Sequence, residues 1–343
     1  MSARTRLAVI GAAIVAAIVP LPAPLVERVY SNGIYPWVQR TLTTTSNLVP
    51  VAIFDVLCVA ALVAVGLLIA RSIQSAGWRR GTIMAAIRLV TVTAVVYLVF
   101  LGTWGLNYRR TSLEDKLQFD PARLTASATS ELASRTASEL NRLYLKAHSE
   151  TVSTEALASS FQRAEAALRA RRPIVPGRPK TTLLGGYFHD AAIAGMTDPF
   201  FLETLVAPDL LDVERPFVIA HEWGHLAGYA DESEANFIAW LTCSHGNARA
   251  QYSAWLTLFG HIYAATGNDR DVIEALQAGP RIDLRTISDR YARTPRLVRF
   301  AARETYDRYL RVNRVEKGVE SYDEVVQLII GATFDRDGNP RMR

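Results

Sequence analysis

The sequence predicts a mainly α protein in two parts: a membrane anchor of three transmembrane helices over residues 1–108, then a mostly helical domain with a small β-sheet over 109–343. Three observations carry this expectation. Composition shifts sharply near residue 108, apolar before it and charged after. Three stretches ahead of the shift approach the roughly 20 apolar residues needed to cross a bilayer. Behind it, apolar residues recur at helical spacing, and only two short runs favour strands.

The expected spans are Leu7 to Val26, Val49 to Ala70 and Leu89 to Tyr108. Arg4 and Arg6 ahead of the first run resemble a signal peptide, but Pro20-Leu21-Pro22-Ala23-Pro24 offers no small-residue cleavage site, so the run reads as an uncleaved anchor. Asp55, close to one end of the second span, is expected to reach headgroups. Arg4 and Arg6, with Arg71, Arg79, Arg80 and Arg88 around the second loop, outnumber Arg28 and Arg40 in the first loop. That bias places the amino terminus in the cytoplasm and the large domain outside, with Arg109 and Arg110 pulling weakly the other way. Tyr97, Trp104 and Tyr108 are expected to anchor the outer interface.

The net charge of +5 comes from arginines scattered along helices, which excludes a nucleic-acid site. Cys58 and Cys243 lie in unlike surroundings and make no disulfide framework or thiolate metal site.

In the polar part, helices are predicted over Pro121–Ser149 and Thr154–Arg171, and Pro173, Pro176 and Pro179 make the next segment a linker. Thr181–Leu184 and Phe200–Val206 are the strand-like runs. A helix follows from Asp212 through Leu226, with Gly228 suited to its C-terminal cap, and Asp231 caps another running towards Cys243. From Ala248 to Thr333 the chain reads as further helices, broken at Gly267-Asn268 and Gly279-Pro280.

His221-Glu222-Trp223-Gly224-His225 fits H-E-x-x-H inside a predicted helix. Residues four apart stand one turn above each other, so both imidazoles can grip one Zn²⁺ ion. Glu222, turned about 100° around the axis, can act as general base on a water held at the metal without ligating it. A catalytic zinc needs a third protein ligand. Glu232 and Asn236 share a helix face, which favours Glu232 as that ligand and Asn236 as the acceptor that fixes an imidazole tautomer. Glu234 points about 200° away and is the second choice. An oxyanion donor is also expected, and Tyr322, His189 and Tyr229 are the candidates.

Glu232-Ser233-Glu234-Ala235-Asn236 resembles the E-x-x-A-N/D element that follows HExxH in gluzincin-type, zincin-like peptidases, a resemblance that implies zinc ligation by Glu232. The whole chain is similar to the bacterial membrane-protein family catalogued as domain of unknown function 3810. The shared stretches are Tyr30 to Pro36, the HExxH and EAN elements, and Gly318 to Tyr322 before an apolar helix. Gly224-His225-Leu226 departs from the family's usual Ala-His-Gln without touching a ligand.

The expectation is therefore a zinc metallopeptidase of the bacterial cytoplasmic membrane, with the lipid bilayer and a peptide or protein substrate as partners. Phe200–Val206 is expected to offer an edge to an extended substrate. Intramembrane cleavage fits poorly, because Glu214, Arg215, Asp231, Glu232 and Glu234 crowd the motif with charge. The alternative is a non-catalytic membrane receptor or assembly factor with a zinc-stabilised helical domain, in which Glu222 is buried.

Overall fold

The computed structural model describes residues 1–266, 270–313, 315 and 324–343. The first apolar run forms α1 (Ala3–Ile18). Pro20 and Pro22 end it, since each lacks an amide donor and crowds its predecessor out of helical geometry. Helix resumes at Ala23, passes through a π-helical segment Glu27–Ile34, and continues into α2 (Tyr35–Asn47), bent by 117° from α1.

The second and third expected spans both lie in one 51-residue helical stretch, α3 (Ile53–Thr103). Among the described residues it is the one helix long and apolar enough to cross a membrane, or one of two if α1 and Ala23–Asn47 are counted as a single broken span. This corrects the expectation of three. The polar residues around Arg79 and Arg80, expected as a loop, are helical on both sides of Gly77. Gly77, at φ 72° and ψ 170°, is the break, in a conformation that side chains disfavour. There the chain doubles back: Arg88 Nη1 donates to Ser72 Oγ at 2.9 Å across a separation of 16 residues. A Cβ on Gly81 would stand 2.5 Å from Ile73 Cα. Gly81→Val is therefore expected to destabilise the chain by about 1–3 kcal/mol, seen as a lower unfolding midpoint in detergent. An unchanged midpoint would rule out this close approach.

Next come α4 (Ala126–Ser149) and α5 (Thr154–Ala167), capped by Thr125 and Ser153 through their hydroxyls. β1 (Pro179–Lys180), α6 (Gly185–Ala191), β2 (Gly195–Thr197) and β3 (Thr204–Val206) follow. The sheet order is β1-β3-β2, with β1 parallel and β2 antiparallel to β3. Two strand expectations change. Thr181–Leu184 is a turn, and β3 is the central strand, hydrogen-bonded on both sides, so the strand with an unpaired edge on the α7 side is β2.

The helices α7 (Arg215–Leu226), α8 (Glu232–Ser244), α9 (Ala248–Ala265), α10 (Ala278–Ala292), α11 (Arg296–Val312) and α12 (Glu324–Gly331) complete the chain. α8 is buried along every residue from Glu232 to Cys243, packed among α5, α7, α9 and α12. The expected break at Gly279-Pro280 falls in the first turn of α10, where proline costs no hydrogen bond. The break expected at Gly267-Asn268 lies outside the described residues.

Contacts cross the 108 boundary densely, and one apolar core runs from Val26 to Met342. Asp55 does not reach headgroups. It is buried at the first turn of α3, accepting from Thr182 Oγ1 at 2.5 Å and Leu183 N at 2.8 Å. Glu203, beside β3, accepts from the exposed amides of Ile53 and Phe54 at 3.0 and 2.8 Å, satisfying donors that α3 cannot satisfy itself. Lys180 neutralises it at 2.5 Å. Trp104, expected at the lipid interface, is likewise buried inside the domain.

Candidate metal centre

α7 carries the motif. Pro216 opens it at a position that needs no amide donor. Trp223 is fully buried, its Nε1 donating to Gly177 O at 2.8 Å, which fixes the rotation of the helix. Gly224 lets α8 approach: a Cβ there would lie 3.2 Å from Ala235 Cα. The carbonyls at the C-terminal end, orphaned in any helix, are satisfied by the anchor half and by Arg110 just beyond it. Trp104 Nε1 donates to His225 O at 3.0 Å, Tyr35 Oη to Leu226 O at 2.8 Å, and Arg110 Nη1 to Gly228 O at 3.0 Å. Gly228 itself takes φ +81°.

This packing brings three ligand-type atoms together. His221 Nε2 lies 3.1 Å from His225 Nε2, and Glu232 Oε2 lies 3.2 and 3.5 Å from them respectively. The other ring nitrogens are occupied, with His225 Nδ1 on Tyr229 O and His221 Nδ1 on Asn236 Oδ1, both at 2.8 Å. A carbonyl only accepts, so His225 Nδ1 carries the hydrogen and its Nε2 faces the cluster. Glu232 Oε2 is buried with no hydrogen-bond partner. Among the described residues no other three His, Cys, Asp or Glu side chains converge in this way.

Glu222 stands beside this cluster, 3% exposed. Its Oε2 accepts from Thr197 Oγ1 at 2.8 Å, and its Oε1 faces β2 so closely that a Cβ on Gly195 would come within 2.6 Å. Burial raises its pKa, against the pull of His221 and His225. Burial would also raise Glu232, yet His225 and His221 hold its carboxyl well below the usual range. The converse holds for His225: burial disfavours its charge, but Glu232 lifts it to about 9.

The remaining candidates are elsewhere. Glu234 accepts from Leu113 N on the far side of α8 and is pushed up to about 7 by burial. Tyr229 contributes its backbone carbonyl to the cluster, while its ring lies 4.4 Å from the Arg110 guanidinium. His189 pairs with Asp209 at 2.7 Å. Tyr322 lies outside the described residues. The residue missed from sequence is Tyr306 on α11, whose hydroxyl donates to Glu232 Oε1. It lies 74 residues from Glu232 with no motif around it, and the one available signal was an aromatic at helical spacing with Tyr309.

No curated protein and no solved structure matches the chain. The family described as "Protein of unknown function (DUF3810)" matches residues 30–330, so the chain belongs to that family.

Proposed function

We propose that the chain is a membrane-anchored, zinc-dependent metallopeptidase, with His221, His225 and Glu232 as ligands and Glu222 as general base. The observation that carries this reading is the ligand triangle. Its edges of 3.1, 3.2 and 3.5 Å match the spacing of about 3.3 Å between ligands of a tetrahedral ion bonded at roughly 2.0–2.1 Å. The unpartnered, buried Glu232 Oε2 fits the same ion, because a buried carboxylate oxygen without a partner is costly.

Zinc held there supplies Lewis acidity towards a peptide carbonyl and the water that attacks it. The protein's own part is distinct. Glu222 takes the proton of the attacking water on its carboxylate and delivers it to the leaving amine, so one water is consumed and one C–N bond becomes a carboxylate and an amine. β2, beside Glu222 and unpaired on one edge, suits an extended peptide added as a further strand. The anchor is read as multi-pass through residues 53–76 and 78–103, which fold back at Gly77 and each have the length to span.

Two measurements test this: metal content of the full-length chain, and digestion of a random peptide library in detergent by wild type and Glu222→Gln. One zinc per chain with cleavage by wild type alone supports it, and equal cleavage by both proteins overturns it. A second reading, the non-catalytic receptor, is favoured by the burial of Glu222 and by α11 lying against Glu232 through Tyr306. It predicts bound zinc and no cleavage by either protein.

Zinc affinity carries a pH signature. Below about 9, the metal-free centre holds a proton on His225 that the ion must displace. Apparent affinity is expected to rise about tenfold per pH unit as pH climbs towards 9, with one proton released per ion near pH 7.5. Calorimetry in buffers of different ionisation enthalpy measures both. A pH-independent affinity would remove His225 from the ligand set.

A further inference from the structure

We infer that the substrate is a membrane-tethered polypeptide, engaged and cut within its juxtamembrane segment. This rests on the peptidase reading above and adds where the scissile bond must lie. The exposed apolar run of the second arm of α3 stops where that arm enters the domain, at the end where the first arm begins. At the start of the first arm Val51, Val56 and Val59 are 55–61% exposed on either side of Ala52 and Asp55, which are 2% and 8% exposed and face the domain. On the other, Val95, Val96 and Val99 are 40–47% exposed, whereas Phe100, Leu101 and Trp104 are 6–8%. Apolar side chains exposed on a spanning helix face lipid, so the end of the exposed run at Val99 marks the height at which bilayer gives way to protein.

The end of the second arm touches the centre directly, and the first arm reaches it through the sheet. Trp104 donates to His225 O, and its ring lies 6.1 Å from the His225 ring. At about 1.5 Å per residue, Trp104 stands only about 7–8 Å beyond Val99. On the first arm, Glu203 binds Ile53 and Phe54 and begins the hairpin return into β3, which pairs with β2 beside Glu222. Ligands and edge strand therefore sit at the depth of the headgroup layer, itself about 5–8 Å thick on each side. Tyr309 of α11 packs on Phe100 and Tyr108, closing a further side of the centre against the same boundary. A chain emerging from the bilayer beside the anchor meets β2 within about three extended residues, at about 3.3 Å each.

The test uses the full chain in liposomes with a single-span reporter. A randomised segment follows the reporter's membrane helix after proline-rich spacers of about 3, 12 or 30 residues, which stay extended at about 3.1 Å per residue. The same segment is also supplied as a soluble fusion. Wild type is read by cleavage, and Glu222→Gln by photocrosslinking from the segment to β2, a readout that needs no turnover. The short spacer is expected to exceed the longest spacer and the soluble fusion by about 10²-fold in both readouts, the gain that tethering within reach provides. Equal yields at all spacings would overturn the juxtamembrane assignment while hydrolysis stands. Crosslinking at the short spacer without cleavage would keep the assignment and refute the peptidase reading, and no preference in either readout refutes the assignment.

Discussion

Glu222→Gln is expected to lower turnover by about 10²–10⁴-fold, the usual contribution of a positioned general base, while zinc content stays at wild-type level. Glutamine has the shape of glutamate and its carbonyl oxygen still accepts from Thr197 Oγ1, so the cradle formed with Gly195 is kept. What is lost is the ability to take a proton. The carboxyl sits where that ability is tuned: burial lifts its pKa towards the working pH, and His221 and His225 keep it from rising as far as burial alone would take it. None of the three ligand atoms belongs to Glu222, which is why metal and turnover should separate. Loss of zinc in the variant would assign Glu222 a supporting role for the ligands, and unchanged turnover would remove it from the chemistry.

The local part of the centre was readable from spacing. His221 and His225 are four apart on a helix, as are Glu232 and Asn236, and a 3.6-residue period dictates which side chains share a face. Glycine and proline punctuation gave Gly228 and Pro216 their places for equally local reasons. What spacing does not encode is pairing across the chain. Tyr306 reaches Glu232, and Tyr35, Trp104 and Arg110 cap α7, through packing that no single residue announces. Hydropathy found the apolar windows, but the arginines between two of them read as loop, although they are helical on both sides of one glycine turn. The Phe200–Val206 run suggested an available edge by its position shortly before the motif helix. Full burial is instead the mark of a central strand, and the edge went to the plainer Gly195–Thr197.

Arg110→Met is expected to destabilise the chain by about 3–5 kcal/mol, the cost of leaving one partner of a buried ion pair uncompensated. The guanidinium grips Glu27 through two nitrogens, at 2.9 and 3.0 Å, and also donates to Ala227 O and Gly228 O at 3.3 and 3.0 Å. Its removal strands a carboxylate whose remaining partners are Lys116, at 2.8 Å, and the neutral Asn32 amide, at 3.1 Å, and orphans two carbonyls at the end of the motif helix. Chemical unfolding in detergent measures the loss. A double variant with Glu27→Gln should recover part of it, since the stranded charge is then gone, and failure to recover would show that the carbonyl caps carry the cost. Acid sensitivity separates the two contributions further. Burial tends to raise the Glu27 pKa, but the hydrogen bond and charge of Arg110 bring it down to about 2. Because the folded value lies below the unfolded one, this contribution is complete above about 4.5 and is lost as pH falls towards 2. Arg110→Met should flatten that acid limb. The same variant should weaken zinc binding by about 10–100-fold, the usual effect of losing support behind a metal ligand. The path is short: Arg110 fixes Gly228, Gly228 sets the position of Tyr229, and the Tyr229 carbonyl orients His225. Stability lost with zinc affinity intact would mean that the anchor holds the domain without holding the centre.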